Sequence, residues 1–389
     1  MSLSLRYLRS ISLSSALLLL SGCGMFDWLK SDDDALEPMA LVNFKEEVRM
    51  RRQWSVNVGS GQGDKYNRLV PAMQGDRIFA AGNNGLVVAV DRESGRTQWR
   101  QRLDYNITGG VGVGGGLVVV GTEKGDVIAL EASSGEVRWE GRVSSEVLAP
   151  PASDGRVVVV QTVDGNLVGL DAQNGQQRWI YENQVPALSL RGTSAPLILQ
   201  NFAVAGLAGG SVISVALDNG TLRWEERVAI PTGRSEIDRM VDIDGYLAVL
   251  DNQVLAPSYQ GYFSAIDAVT GQTRWRVQES TSQGASFGFG NVYVVNDDDI
   301  VKAYRVGQER EAWSNDQMLR RRLSAPLGFS NYVAVGDADG YVHLLSQSDG
   351  RFMARAKVDG DGIRANMLAQ GNVLYVYGNS GTLAAYRVE

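Results

Sequence analysis

The chain is poor in the two residues that most often carry metal and nucleophilic chemistry. It has one cysteine and one histidine in 389 residues. A lone cysteine cannot close an internal disulfide. The pair leaves no ligand set for a His/Cys zinc site and in practice excludes Cys–His or Ser–His catalysis. Positive charge is also short. The formal net charge is −7 with the charges interspersed, whereas a nucleic-acid binder is more often basic and patchy, so nucleic acid is not expected as a partner. Long apolar runs are missing too: Ile11–Leu20 is too short to span a bilayer comfortably. No long helical periodicity follows residue 45. What remains is a 44% hydrophobic chain with 45 glycines and abundant valine. That composition indicates a soluble all-β protein with ample material for a core.

The N-terminus reads as a targeting segment. Arg6 and Arg9 form a positive region ahead of Ile11–Leu20, and Leu20-Ser21-Gly22-Cys23 follows directly. This run resembles the bacterial lipobox, which implies cleavage after residue 22 and lipid on Cys23. Removing residues 1–22 would move the formal charge from −7 to −9. Each buried CH₂ adds about 0.8 kcal/mol, so several acyl chains hold far more firmly than one. Gly24, in place of the Asp that retains such lipoproteins at the inner membrane, implies the outer membrane, periplasmic face. Residues 23–47 are expected to be a tether, because Ser31-Asp32-Asp33-Asp34 and Glu37-Pro38 resist regular structure. Phe26, Trp28 and Leu29 either rest at the membrane interface or are incidental to a mobile linker.

Residues 48–389 are written as a repeat. VVAVDRESGRTQW (87–99), VIALEASSGEVRW (127–139), LVGLDAQNGQQRW (167–179), VISVALDNGTLRW (212–224) and YFSAIDAVTGQTRW (262–275) are one β-hairpin in several copies. Tryptophan recurs at 54, 99, 139, 179, 224, 275 and 313, with intervals of 45, 40, 40, 45, 51 and 38. One more step reaches Ala354, four residues after Gly350, as Trp stands after Gly95, Gly135, Gly175, Gly220 and Gly271. Fourteen residues before each Trp position stands a turn residue: Gly85, Gly125, Gly165, Gly210, Gly261, Asp299 and Gly340, with Gly381 in the last copy. Glycine tolerates the positive φ that tight hairpins require. A period near 40 with several short strands per unit signals a propeller. The expectation is eight blades of four antiparallel strands. The last copy lacks its Trp strand, and Gln53–Val58 lacks strands before it, so pairing the N-terminal strand with the C-terminal blade closes the ring and removes two sheet edges. The Trp side chains are expected between neighbouring blades, each burial contributing on the order of 2–3 kcal/mol.

Other candidate motifs carry no chemistry. His343 lies in the strand 341–345 and reads as structural. Gly109–Gly116 (GGVGVGGG) precedes a strand rather than a helix, so it is not a dinucleotide loop, and residues 59–63 (GSGQG) lack a P-loop ending. The acidic groups at 297–299, 337/339 and 359/361 occupy hairpin turns, where Asp is favoured locally, and none has a full calcium loop. No metal and no cofactor are expected. No carboxylate pair stands out for glycoside chemistry.

The informative departures are in length. From Trp to the next turn residue the chain takes 31 residues after Trp54, 31 after Trp179 and 37 after Trp224, against 24 to 27 elsewhere. The last two connectors are consecutive and so lie side by side on one face. In the first, an extended 185–191 (VPALSLR) points Leu188 and Leu190 the same way with Arg191 beside them. In the second, Asp242 and Asp244 share a side. Apolar residues rimmed by charge make a protein-docking patch; alternatively, the leucines plug the ring and the charges are solvated.

The repeat Ala/Leu-x-Asp-x-x-x/Thr-Gly-x-x-x-Trp resembles that of quinoprotein (PQQ) alcohol dehydrogenases. The chain is much shorter than those enzymes and lacks their adjacent-Cys disulfide. The lipobox, the eight repeats, 185–196 (VPALSLRGTSAP) and 236–239 (EIDR) together resemble the BamB family, lipoprotein subunits of the outer-membrane β-barrel assembly (BAM) complex. That resemblance covers nearly the whole chain. It implies a non-enzymatic scaffold that binds the periplasmic POTRA domains of BamA, and through BamA the other BAM lipoproteins, and that helps unfolded outer-membrane β-proteins to insert. The family's BamA-contacting positions fall on Leu188, Leu190, Arg191, Asp242 and Asp244. A periplasmic quinoprotein dehydrogenase and a carbohydrate- or peptide-binding propeller remain as alternatives.

Overall fold

A computed structural model describes residues 37–389, except residues 66, 187 and 189–191. The described chain forms eight four-stranded antiparallel sheets. Seven are sequential, running from 72–102 (blade one) to 327–357 (blade seven). The eighth combines Leu368–Gln370, Val373–Tyr377 and Thr382–Val388 with the N-terminal strand Met50–Asn57. Met50 pairs with Val388 and Asn57 with Thr382, so the ring closes between the two ends of the repeat. The fold is the eight-bladed β-propeller that the period of about 40 residues implied.

Burial along each blade follows from stacking between two neighbours. The middle strands, such as Leu117–Thr122 and Asp126–Glu131, are buried on both faces and read as nearly continuous Val/Ile/Leu/Ala runs. The outermost strands are exposed on one side and alternate, as in Val137–Arg142, where Trp139 faces inward. In each of the eight blades the outermost pair carries a register irregularity beside the Trp position.

The tryptophans do join blades. The indole N–H of Trp54, Trp99, Trp139, Trp179, Trp224 and Trp313 each donates, at 2.8–3.2 Å, to a carbonyl in the outer turn of the next blade: Arg92, Ala132, Ala172, Leu217, Ala268 and Gln347. The glycine of that turn lies directly under the ring. A Cβ on Gly175 would stand 2.5 Å from Trp139 Cε3. Positive φ is therefore only half the reason for these glycines; the other half is that the indole occupies the space. Trp275 differs because Glu309 stands where the seat glycine would be, and its N–H turns to Gln253 Oε1 at 3.1 Å. Ala354 also has a cause. The seat for an indole there would be the outer turn of the eighth blade, and that blade has no such turn, because its two outer strands, Thr382–Val388 and Met50–Asn57, are not consecutive in the chain.

Residues 39–48 lie along blade seven. Phe44 stacks on Phe352 with centroids 5.1 Å apart, and Arg355 lies over the Phe44 ring at 5.0 Å. Arg321 and Arg355 donate to the Met39 and Val42 carbonyls at 2.8 and 3.0 Å. Beneath this segment His343 is fully buried, with Nε2 2.9 Å from Asp337 and Nδ1 accepting from Arg355 Nε at 3.1 Å. Since Arg355 can only donate, Nδ1 carries no proton and the imidazole is neutral with its proton on Nε2. Burial holds its pKa below the ordinary value of 6.5, against the pull of Asp337.

The expected turn glycines have positive φ, and Asp299 takes it at 63°; Gly261 is the exception. In blade five Gln260 adopts the left-handed conformation instead (φ 53°). Tyr259, just before it, donates to the Asp242 carbonyl at 2.8 Å, so the long connector reshapes this turn. Residues 109–114 of the glycine run fall in the inner strand Ile107–Gly114, and Gly115 and Gly116 make the turn after it. A Cβ on Gly112 or Gly114 would run into the Pro151 or Ser153 carbonyl of the adjoining segment, which accounts for the glycines.

Candidate partner-binding site

Each outermost strand returns to the innermost strand of the next blade, so all inter-blade connectors emerge on one face. The two long connectors, 182–196 and 228–247, meet there. Ser194 Oγ donates to the Gly245 carbonyl at 3.2 Å. A Cβ on Gly192 would lie 2.8 Å from Asp244 Cγ. Gly209 donates to the Val241 carbonyl at 3.1 Å and packs beside Pro186.

The sequence-selected residues divide in two. Leu188 is exposed at 47%, and Ile230 and Ile237 on the second connector are more exposed, at 65% and 67%. Such apolar exposure on adjoining loops is a surface that lacks a cover. Leu190, Arg191 and the lipidation candidate Cys23 lie outside the described residues. Asp242 and Asp244, by contrast, are only 2% and 5% exposed. The expectation that these charges rim the apolar residues, and the alternative that they are solvated, are both corrected here: the two carboxylates are buried. Asp242 Oδ1 accepts from the Ile243 amide at 2.8 Å. Burial pushes the Asp244 pKa up to about 6, opposed by the positive charge of Arg68.

Arg68 was not among the predicted residues. It belongs to the third long connector, 58–71, on the far side of the ring. Arg68 Nη1 donates to the Ser282 carbonyl at 3.1 Å, and Tyr246 Oη donates to the Arg68 carbonyl at 3.2 Å. Tyr246 itself packs against the core cluster that contains Leu69 and Val70. The only sequence signal was the 31-residue interval after Trp54.

The acidic groups that invited a metal reading are occupied by protein donors. Asp299 accepts the Arg322 and Leu323 amides, both at 2.8 Å. Asp337 accepts Arg321, and Asp359 accepts the Asp361 amide. Among the described residues no group of three or more His, Cys, Asp or Glu could hold a metal ion.

The family model described as outer membrane protein assembly factor BamB matches residues 51–107 and 83–315. The protein of that name from Pseudomonas aeruginosa is 57% identical over 353 residues, 91% of this chain and 93% of the relative. The chain belongs to the BamB family. The Escherichia coli BamB is 35% identical over 94% of this chain and 95% of its own length. The crystal structure of BamB from Moraxella catarrhalis superposes with a TM-score of 0.79 at 31% identity, covering 87% of this chain and all of that one. A quinohemoprotein alcohol dehydrogenase from Comamonas testosteroni also superposes, with a TM-score of 0.70 over 87% of this chain and 76% of that one. At 15% identity that likeness shows the propeller alone.

Proposed function

We propose that this BamB-family chain is a non-enzymatic scaffold of outer-membrane protein assembly, docking through connectors 182–196 and 228–247 on the periplasmic POTRA domains of BamA. Through BamA it joins the other BAM lipoproteins and aids delivery and insertion of unfolded β-barrel proteins. Lipid on Cys23 anchors it at the periplasmic face of the outer membrane, with residues 1–22 as signal peptide and the following stretch as tether. The observation that carries the reading is the joining of the two connectors at Ser194 and Gly245, with apolar side chains exposed on both and two carboxylates buried at their root. In that arrangement Leu188 and Leu190 are desolvated anchors at the interface. Arg191 orients the encounter, and Asp242 and Asp244 support the loop from beneath rather than facing the partner. The test is co-purification with the BamA periplasmic region. Leu188→Asp should abolish it while circular dichroism stays unchanged; undiminished capture would reject the site.

A further inference from the structure

The connector 58–71 is as anomalous in length as the one after Trp179, yet it lies across the ring from the docking surface. It is folded on itself by one buried side chain. Gln62 donates from Nε2 to the Leu69 carbonyl at 2.6 Å and accepts the Leu69 amide at 2.8 Å. The Asn67 side chain donates to the Gln62 carbonyl at 2.8 Å. The connector is then stapled to blade two, Val70 N–H donating to the Gly110 carbonyl at 2.8 Å and Val111 N–H to the Val70 carbonyl at 2.9 Å. Arg68 is thus flanked by two residues, Asn67 and Leu69, that are each hydrogen-bonded to Gln62. What it reaches belongs to the opposite blades. Ser282 precedes blade six and Tyr246 precedes blade five. Tyr246 stands two residues after Asp244, and Gly245 between them holds Ser194.

We infer that Arg68 is a positioning residue: its carbonyl holds the Tyr246 hydroxyl and its guanidinium, fixed at Ser282, braces the Asp244 side from across the ring, and so fixes the root of the docking connector at Gly192–Ser194. The third long connector then has a purpose that neither blade closure nor direct partner contact supplies. A planar guanidinium suits the task, because it can hold the Ser282 carbonyl while its positive charge acts on the Asp244 carboxylate. The inference rests on the proposed docking role only for its consequence in binding; the brace itself is testable in the free protein.

The experiment compares wild type with Arg68→Gln, and with Arg100→Gln on an exposed outer strand as control. Hydrogen exchange at the Gly192, Ser194, Ile243 and Gly245 amides should accelerate at least tenfold in Arg68→Gln. Exchange in the blade-seven strand 332–336 should not change. The Asp244 carboxyl, followed by carbon NMR, should titrate at higher pH once the positive charge is gone. Tyr246→Phe removes the hydroxyl bound to the Arg68 carbonyl, the arm of the brace that Arg68→Gln leaves in place, and should also accelerate local exchange, which keeps the test alive should Arg68→Gln fail to fold. Unchanged local exchange together with an unchanged Asp244 titration overturns the brace. Accelerated exchange with a tenfold or greater loss of BamA periplasmic-region binding supports both readings. Accelerated exchange with full binding keeps the brace and rejects the connectors as the docking site.

Discussion

Replacing Gly175 by alanine tests whether the Trp seat is a steric requirement or merely a left-handed turn. Gly175 has φ of 73°, and so does Gly307 in the outer turn of blade six. The backbone cost is therefore matched, at about 1–2 kcal/mol for a non-glycine residue in the left-handed region. The surroundings differ. A Cβ at 175 would meet Trp139 Cε3 at 2.5 Å and Cδ2 at 2.8 Å, whereas a Cβ at 307 would meet nothing within 4 Å. Trp139 cannot easily retreat, because it is buried and its N–H is held by the Ala172 carbonyl at 2.9 Å. Forcing an extra methyl into such a contact costs about 1–3 kcal/mol. Gly175→Ala should thus destabilise by roughly 2–5 kcal/mol, and Gly307→Ala by only about 1–2 kcal/mol. Urea unfolding followed by near-ultraviolet circular dichroism measures both. In a Trp139→Ala background the cost of Gly175→Ala should drop to that of Gly307→Ala, since the clashing partner is gone. Equal costs for the two single variants, or no coupling to Trp139, would refute the steric account.

Other perturbations follow from the same geometry. Leu188→Asp should leave the unfolding curve unchanged and reduce binding of the BamA periplasmic region by at least about 2 kcal/mol, the scale of an interface anchor, as read by calorimetry. Asp244 has a folded pKa of about 6, above its ordinary 3.8. The native state therefore holds the extra proton between these values, and stability relative to Asp244→Asn should fall by roughly 3 kcal/mol as pH rises from 4 through 6; a pH-independent difference would contradict the burial. His343 behaves oppositely. Its pKa is depressed, so the stability it supports is present above pH 6.5 and is lost as pH falls below that value, where the unfolded chain takes up a proton that the native state refuses. His343→Gln should flatten this part of the profile in urea titrations. Phe44→Ala removes the ring that covers Phe352 and Arg355 and should cost about 1–3 kcal/mol, seen as a lower urea midpoint.

Much of this protein was legible because a propeller is written as local repeats. Tryptophan spacing, the turn glycines and the missing strands at the two ends carried the blade number and the closing pair, since each hairpin is decided by its own residues and each blade meets only its neighbours. Connector lengths likewise marked where the ring departs from itself. The blade-five turn departs because Asp242, from a connector outside the repeat, pairs with Tyr259. The seating of 39–48 on blade seven left no mark either, because Phe44 and Phe352 are distant in the chain and belong to no common period.

The sequence by itself determined the architecture, through periodic apolar strands and a turn-to-Trp distance of fourteen residues. It also determined which connectors are long. Only the tertiary structure decided which residues of those connectors face solvent. Asp242 and Asp244 read as rim charges, yet both carboxylates are buried, with the positive charge of Arg68, from a connector across the ring, acting on Asp244. The sign of a charge is written in the chain, but its exposure depends on what closure places over it.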